Sequence, residues 1–257
     1  LVLMVLLVLW VTSAPVRAAP LVSLSVYSGE VGTPLYVTGT GFTASVPFRT
    51  HFGFGTFYEV VRTGTVSQSG TIYDAFAVPE VPGGSYVVYV ETSGTEFASS
   101  TFTVLPSVRL NKTSLLVGEG VVASGTGFGA SRTITISVDT VTVAPAATNA
   151  NGSFTGATFT VPETYRGSHR VSVTDNINSA STGIDVRQSA ALSSNSGAIG
   201  STVKISGTGF RASQTITIAY DDLLPINDQL ANLNGDELDL IIETPGGSGE
   251  VAEDMVR

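Results

Sequence analysis

Gly-Thr-Gly-Phe occurs three times in this chain, at Gly39–Phe42, Gly125–Phe128 and Gly207–Phe210. Recurrence of one motif at a near-constant spacing makes the chain a row of like units, and this outranks any single local signal. Each copy follows a similar lead: Gly29-Glu30-Val31-Gly32, then Val117-Gly118-Glu119-Gly120, then Gly197-Ala198-Ile199-Gly200. A second anchor recurs as Phe76-Ala77-Val78-Pro79 and Phe159-Thr160-Val161-Pro162. Both copies lead through Gly-Ser into an alternating strand, Tyr86–Val90 or His169–Val173.

Short runs rich in Val, Ile, Thr and aromatics, closed by Gly, Pro, Asn and Ser, read as strands joined by turns. Thr133–Val138 and Thr215–Ile218 alternate polar and apolar residues, so each predicts a strand with one wet and one buried face. The paired glycines predict a bend or bulge, with the following Phe packed into a core. The chain has no Cys, which excludes a disulfide framework and thiolate metal sites. Apolar burial must hold each unit together.

The pattern Gly-x-x-Val-x-Ile-x-Gly-Thr-Gly-Phe, followed by strands, Asn151-Gly152-Ser153-Phe154 and Phe-x-Val-Pro, resembles the IPT/TIG-like, immunoglobulin-like repeats of bacterial surface proteins over about residues 21–220. The resemblance implies a mostly β fold of tandem β-sandwiches: repeat 1 over 20–105, repeat 2 over 106–188 and a partial third repeat over 189–220. It implies a structural, adhesive or binding role and no cofactor, with a cell-surface glycan or protein as the expected ligand.

Leu1–Val11 is an uninterrupted apolar run, followed by small residues and Val16-Arg17-Ala18-Ala19-Pro20. An apolar core before a small-x-small site is the pattern of a secretory signal, here residues 1–19, cut short at its start. Export to the cell surface or medium is the expectation, with the membrane engaged only through export or an anchor outside this chain. Residues 1–220 carry 11 acidic and 11 basic side chains, whereas 221–257 carry 10 acidic and one basic, Arg257. The whole net charge of −9 therefore sits in the tail, and no basic patch for nucleic acid exists.

That charge break coincides with a change of period. Leu223, Ile226, Leu230 and Leu233 lie on one helical face, Leu238–Glu243 reads as a strand, and Ser248 caps a second helical pattern through Val256. Strand, Thr244-Pro245-Gly246-Gly247-Ser248-Gly249-Glu250 and helix resemble the oxyanion-loop segment of the Clp protease/SppA-like serine peptidases, in particular the serine dehydrogenase proteinase branch. By that resemblance Gly246 and Gly247 would offer backbone donors to an oxyanion. The family's nucleophilic Ser and its partner fall later than Arg257, so the 221–257 segment reads as an incomplete α/β piece without catalytic capacity. A fragment of such a peptidase is the alternative reading of function, joined to the repeats naturally or artificially near Tyr220.

The remaining signals have plainer readings. Asn232, Asn234, Asp236 and Glu243 fall at calcium-loop spacing, but Glu237 stands where a Gly is required, and a solvated turn fits better. Gly246–Gly249 lacks the Lys of a phosphate loop. His51 and His169, the two histidines, lie far apart and make no zinc site or triad, with His169 in the slot of Tyr86. Phe48, Phe52, Phe54 and Tyr58 share one parity, which predicts a buried sheet face or an aromatic platform. On the platform reading the binding residues are Phe52, Phe54, Phe57 and Tyr58.

Overall fold

A computed structural model describes residues 18–93, 96–218 and 240–243. They fall in two compact units, one within Leu1–Pro79 and Gly84–Leu105, the other within Glu80–Gly83 and Pro106–Arg257.

The first unit is a two-sheet sandwich. Its strands are β1 (Leu21–Leu24), β2 (Ser28–Gly29), β3 (Pro34–Thr40), β4 (Pro47–Phe54), β5 (Phe57–Thr65), β6 (Ile72–Ala77), β7 (Gly84–Thr92) and β8 (Phe97–Val104). One sheet has the order β1-β3-β6 and the other β2-β8-β7-β4-β5. The second unit opens with the same design: β9 (Ser107–Leu110), β10 (Ser114–Leu116), β11 (Gly120–Thr126), β12 (Thr133–Val138), β13 (Val141–Ala147), β14 (Phe154–Thr160), β15 (Gly167–Thr174) and β16 (Ser179–Arg187). Its sheets run β14-β11-β9 and β10-β16-β15-β12-β13, so the internal repeat seen in sequence is a repeat of topology. In both sandwiches the first strand breaks in two. Its leading half pairs antiparallel with the small sheet, and its trailing half pairs parallel with the last strand of the large one, β2 with β8 and β10 with β16.

The repeated motifs account for this construction. Gly41 and Gly127 have φ of 78° and 73°, a left-handed backbone open to Gly at little cost. The turn they make drops Phe42 and Phe128 into the two cores, where neither is more than 2% exposed. Each ring lies over the first Gly of its motif, so that a Cβ on Gly39 or Gly125 would meet ring carbons at 2.9 and 3.0 Å. The expected bulge is present in repeat 2, where the β11–β14 register shifts between Ala123 and Gly125. The second anchor closes a clip on the lead turn. Gly32 N–H donates to Val78 O at 2.8 Å and Val78 N–H to Thr33 O at 3.0 Å. The same pair of bonds joins Gly118, Val161 and Glu119. Thr133–Val138 is the alternating strand expected, with Ile134, Ile136 and Val138 buried.

His169 occupies the place Tyr86 has in repeat 1, and both are buried. Its Nδ1 donates to the Asp139 carboxylate at 2.6 Å and its Nε2 to the Tyr165 carbonyl at 2.7 Å. Both nitrogens face acceptors, an arrangement that favours the imidazolium over the neutral ring. Burial opposes that charge, but the bonds to Asp139 and Tyr165 outweigh it, and the pKa is raised. Asp139 is lowered in turn, by hydrogen bonds from His169 and from Arg170 N–H. A His raised on folding stabilises the fold below its unfolded pKa of about 6.5, and that contribution is lost as pH rises through the folded value. The lowered Asp139 behaves oppositely, losing its contribution as pH falls below about 4. The second sandwich should therefore be less stable near pH 9 than near pH 6. His169→Tyr, which installs the residue of repeat 1, should flatten that slope. Urea denaturation at the two pH values checks this, and an unchanged slope in His169→Tyr would refute it.

The third repeat supplies β17 (Ser189–Leu192) and β18 (Val203–Thr208), paired antiparallel as β1 with β3 and β9 with β11 are. None of its described apolar residues is buried. Phe210 is only half-buried, although Gly209 repeats the left-handed turn. Thr215–Ile218, expected as a strand, is not one. Its counterparts β4 and β12 are held by ladders to β7 and β15, and no such neighbour exists for it among the described residues. The tail contributes a strand, β19 (Leu240–Glu243), within the expected Leu238–Glu243 segment. It pairs parallel with β18, where β6 and β14 pair antiparallel with β3 and β11. The expected flanking helices, the oxyanion-loop candidates Gly246 and Gly247, and the turn residues Asn232, Asn234 and Asp236 all lie outside the described residues, as does the signal segment up to Arg17.

Candidate functional site

The four aromatic candidates of repeat 1 do not form one surface. Phe48 to Tyr58 is two strands, β4 and β5, joined by a two-residue turn in which Gly55 has a φ of 58°. Parity counted through a hairpin does not assign a face, because the chain reverses there. Phe52 is 3% exposed and belongs to the core, stacked on Tyr86 at 4.9 Å and edge-on to Phe102. This corrects its assignment to a binding surface. Phe54 is exposed but leans on Tyr86, the same inward-facing residue. Phe57 pairs through its backbone with Phe54, and its side chain lies outside those described. Tyr58 is exposed and meets Tyr89 instead, edge to face at 5.0 Å.

Tyr89 marks a different surface, the outer face of the five-stranded sheet. In β7 the residues Tyr86, Val88 and Val90 are buried, so Val87, Tyr89 and Glu91 point the other way. Tyr58, Val87, Tyr89, Glu91, Thr92, Glu96, Phe97 and Ser99 line a groove of about 450 Å³ there, within the usual size of small-molecule sites, roughly 300–1,000 Å³. Tyr58 and Tyr89 stand at 84° to each other, giving the groove a corner of two perpendicular rings. Phe97 is 71% exposed.

The polar groups are fixed. His51 stacks on the Tyr89 ring at 4.3 Å, with the planes 4° apart, and its Nε2 donates to Glu91 Oε1 at 3.0 Å. The Glu96 carboxylate accepts from Thr43 N–H at 2.9 Å and Thr43 Oγ1 at 2.8 Å. Burial first, then the nearby Glu91 and Tyr58, raises the Tyr89 pKa, so its hydroxyl remains a donor. His51 Nδ1 is buried without a hydrogen-bond partner, a cost of about 1–3 kcal/mol that the fold bears.

Repeat 2 shows what the sandwich alone requires at these places. His51 pairs across β4 and β7 with Tyr89, and Tyr89 across β7 and β8 with Ser99. The equivalent chain of partners in repeat 2 is Ser137, Ser172 and Ser181. Phe97, opposite Glu91 at the start of β8, corresponds to Ser179 opposite Thr174. One topology thus carries His, Tyr and Phe in one copy and three serines in the other. Tyr89, Phe97 and His51 escaped sequence reasoning because the alternation of Tyr86–Val90 gives a strand but not its neighbours, and only the register of β4, β7 and β8 brings the three together. Aligning the two repeats at Tyr89 and Ser172 would have exposed the difference.

Among the described residues, no three His, Cys, Asp or Glu side chains gather as metal ligands.

No family model matches the chain, and no curated protein matches it. Solved structures do. SGBP-B from a complex xyloglucan utilization locus in Bacteroides uniformis is 22% identical, covering 65% of this chain and 49% of that one, with a TM-score of 0.25. A tetra-tandem repeat in the extending region of a large adhesion protein is 16% identical over 74% of this chain and 55% of that one, with a TM-score of 0.33. The adhesin InvE of Yersinia pseudotuberculosis is 13% identical over 65% and 58%, with a TM-score of 0.30. The match spans about half the length of each of these structures.

Proposed function

We propose that this chain is part of an exported, surface-displayed repeat protein. In this reading the immunoglobulin-like sandwiches act as a scaffold, and the outer face of the first one binds a ligand. The observation that carries the reading is the contrast between equivalent positions. Tyr89, Phe97 and His51 are not needed to build this sandwich, since Ser172, Ser179 and Ser137 serve in its neighbour. Exposed aromatic surface costs solubility, and a buried unpaired nitrogen costs stability, so a chain that keeps both on one face has a use for that face. The apolar leader before Ala19-Pro20 supports export.

Beads coated with the full chain should be retained on a panel of bacterial and epithelial cell surfaces. The double variant Tyr89→Ser and Phe97→Ser should abolish retention while the sandwich stays folded, its unfolding midpoint lowered only by the lost ring contacts to His51 and Tyr58, since serine is the residue repeat 2 carries at both places. Retention that is equal for the two proteins, or absent from every surface, would overturn the proposal.

A further inference from the structure

Resting on that binding-face reading, we infer that the groove of repeat 1 takes a neutral saccharide, held by stacking on the Tyr58–Tyr89 corner and by hydroxyl bonds to Glu91.

A pyranose ring offers an apolar C–H face bounded by hydroxyls. The groove matches both parts. The negative faces of aromatic rings attract the weakly positive C–H groups, and the perpendicular Tyr58 and Tyr89 rings provide a floor and a wall for a ring-shaped ligand. Around that corner stand hydroxyls of Tyr58, Tyr89, Thr92 and Ser99 and the carboxylates of Glu91 and Glu96. Phenol and alcohol groups donate and accept, and carboxylates accept with charge assistance, which suits a ligand carrying many hydroxyls. Glu91 is already oriented by His51, so little ordering remains to be done when a hydroxyl arrives.

Charge narrows the class. Two carboxylates line the groove and none of its described lining residues is basic, so an anionic sugar or a phosphate would meet repulsion. The main chain narrows it further. The backbone groups of β4 and β7 are consumed in ladders on both sides, so the Tyr58–Tyr89 corner offers no edge for an extended peptide to join, whereas β8 has β7 along one side and β2 only at Thr103 and Val104 on the other. Recognition at that corner runs through side chains alone. A quaternary ammonium would also suit exposed rings, but it has no use for the hydroxyls of Thr92, Ser99 and the two phenols.

The test is calorimetric titration of the full chain with cellohexaose, maltohexaose and xylohexaose, with hexagalacturonate and tetramethylammonium as controls. At least one neutral hexasaccharide should bind. Tyr89→Ser should weaken it tenfold or more while the sandwich stays folded, and Ser172→Thr on the matching face of repeat 2 should change nothing. Absence of binding by all three neutral sugars, equal or tighter binding of hexagalacturonate or tetramethylammonium, or sugar binding indifferent to Tyr89→Ser would overturn the inference. If the sugars fail while bead retention on cells still depends on Tyr89 and Phe97, only the saccharide class is overturned. If retention is also indifferent to those residues, the binding face itself is refuted.

Discussion

Replacing Phe128 by Ala is expected to destabilise the second sandwich by about 3–5 kcal/mol, a large part of the stability of a domain this size. The ring is fully buried, edge-on to Phe154 at 5.7 Å, with a core on every side that includes Ile134, Ile136 and Val171. Its neighbours cannot close over the gap, because its own backbone is pinned: Phe128 N–H donates to Gly152 O at 3.0 Å. The loss is therefore transfer energy plus a retained cavity. Phe210 ends the same motif in the third repeat, but it is only half-buried, and its truncation should cost less than about 1 kcal/mol. Hydrogen exchange of the β11 and β14 amides reports the second sandwich locally. Similar protection in Phe128→Ala and the parent chain would mean that the motif does not key the core.

The companion change is Gly125→Ala, for which we expect a loss of about 2–3 kcal/mol, the upper part of the range for overpacking. A methyl group there would sit 2.5 Å from Phe154 Cε1 and 2.6 Å from the Ser107 carbonyl oxygen. A ring can tilt, but that carbonyl belongs to β9, which is laddered to β11 with Gly125 opposite Val108. Relief therefore requires one strand to move against another. Gly120→Ala is the control, since a Cβ at Gly120 meets nothing within 4 Å and the residue is exposed in the same strand. It should stay within about 0.5 kcal/mol of the parent. Equal stability of the two variants in urea would show that the first Gly of the motif is not there for space.

These two residues also mark where sequence reading succeeds. Gly-Thr-Gly-Phe encodes a local device, a left-handed turn followed by a ring folded back over a Gly, and such a device is legible wherever it recurs. The alternation of Thr133–Val138 was equally plain, because one face of β12 is buried and the other carries hydroxyls. What failed was long-range. Thr215–Ile218 has the same alternation but no neighbouring strand among the described residues to hold it, so pattern without partner does not make a ladder. Phe52 and Tyr58 looked like one stripe because a two-residue turn between them is invisible to parity. Tyr89 and Phe97 belong to different strands, and only the β7–β8 register brings them to one groove.

The split first strand has a mechanical consequence. In each sandwich an early strand lies parallel to the final one: Ser114, Leu115 and Leu116 beside Asp185, Val186 and Arg187, and Ser28 and Gly29 beside Thr103 and Val104. A pull on the two ends of such a domain drags these strands past each other lengthwise. The rungs between them then share the force and must break together, whereas an antiparallel terminal pair would open one rung at a time. A chain anchored at one end and holding a ligand near the other would transmit tension through this arrangement, which resists being unzipped.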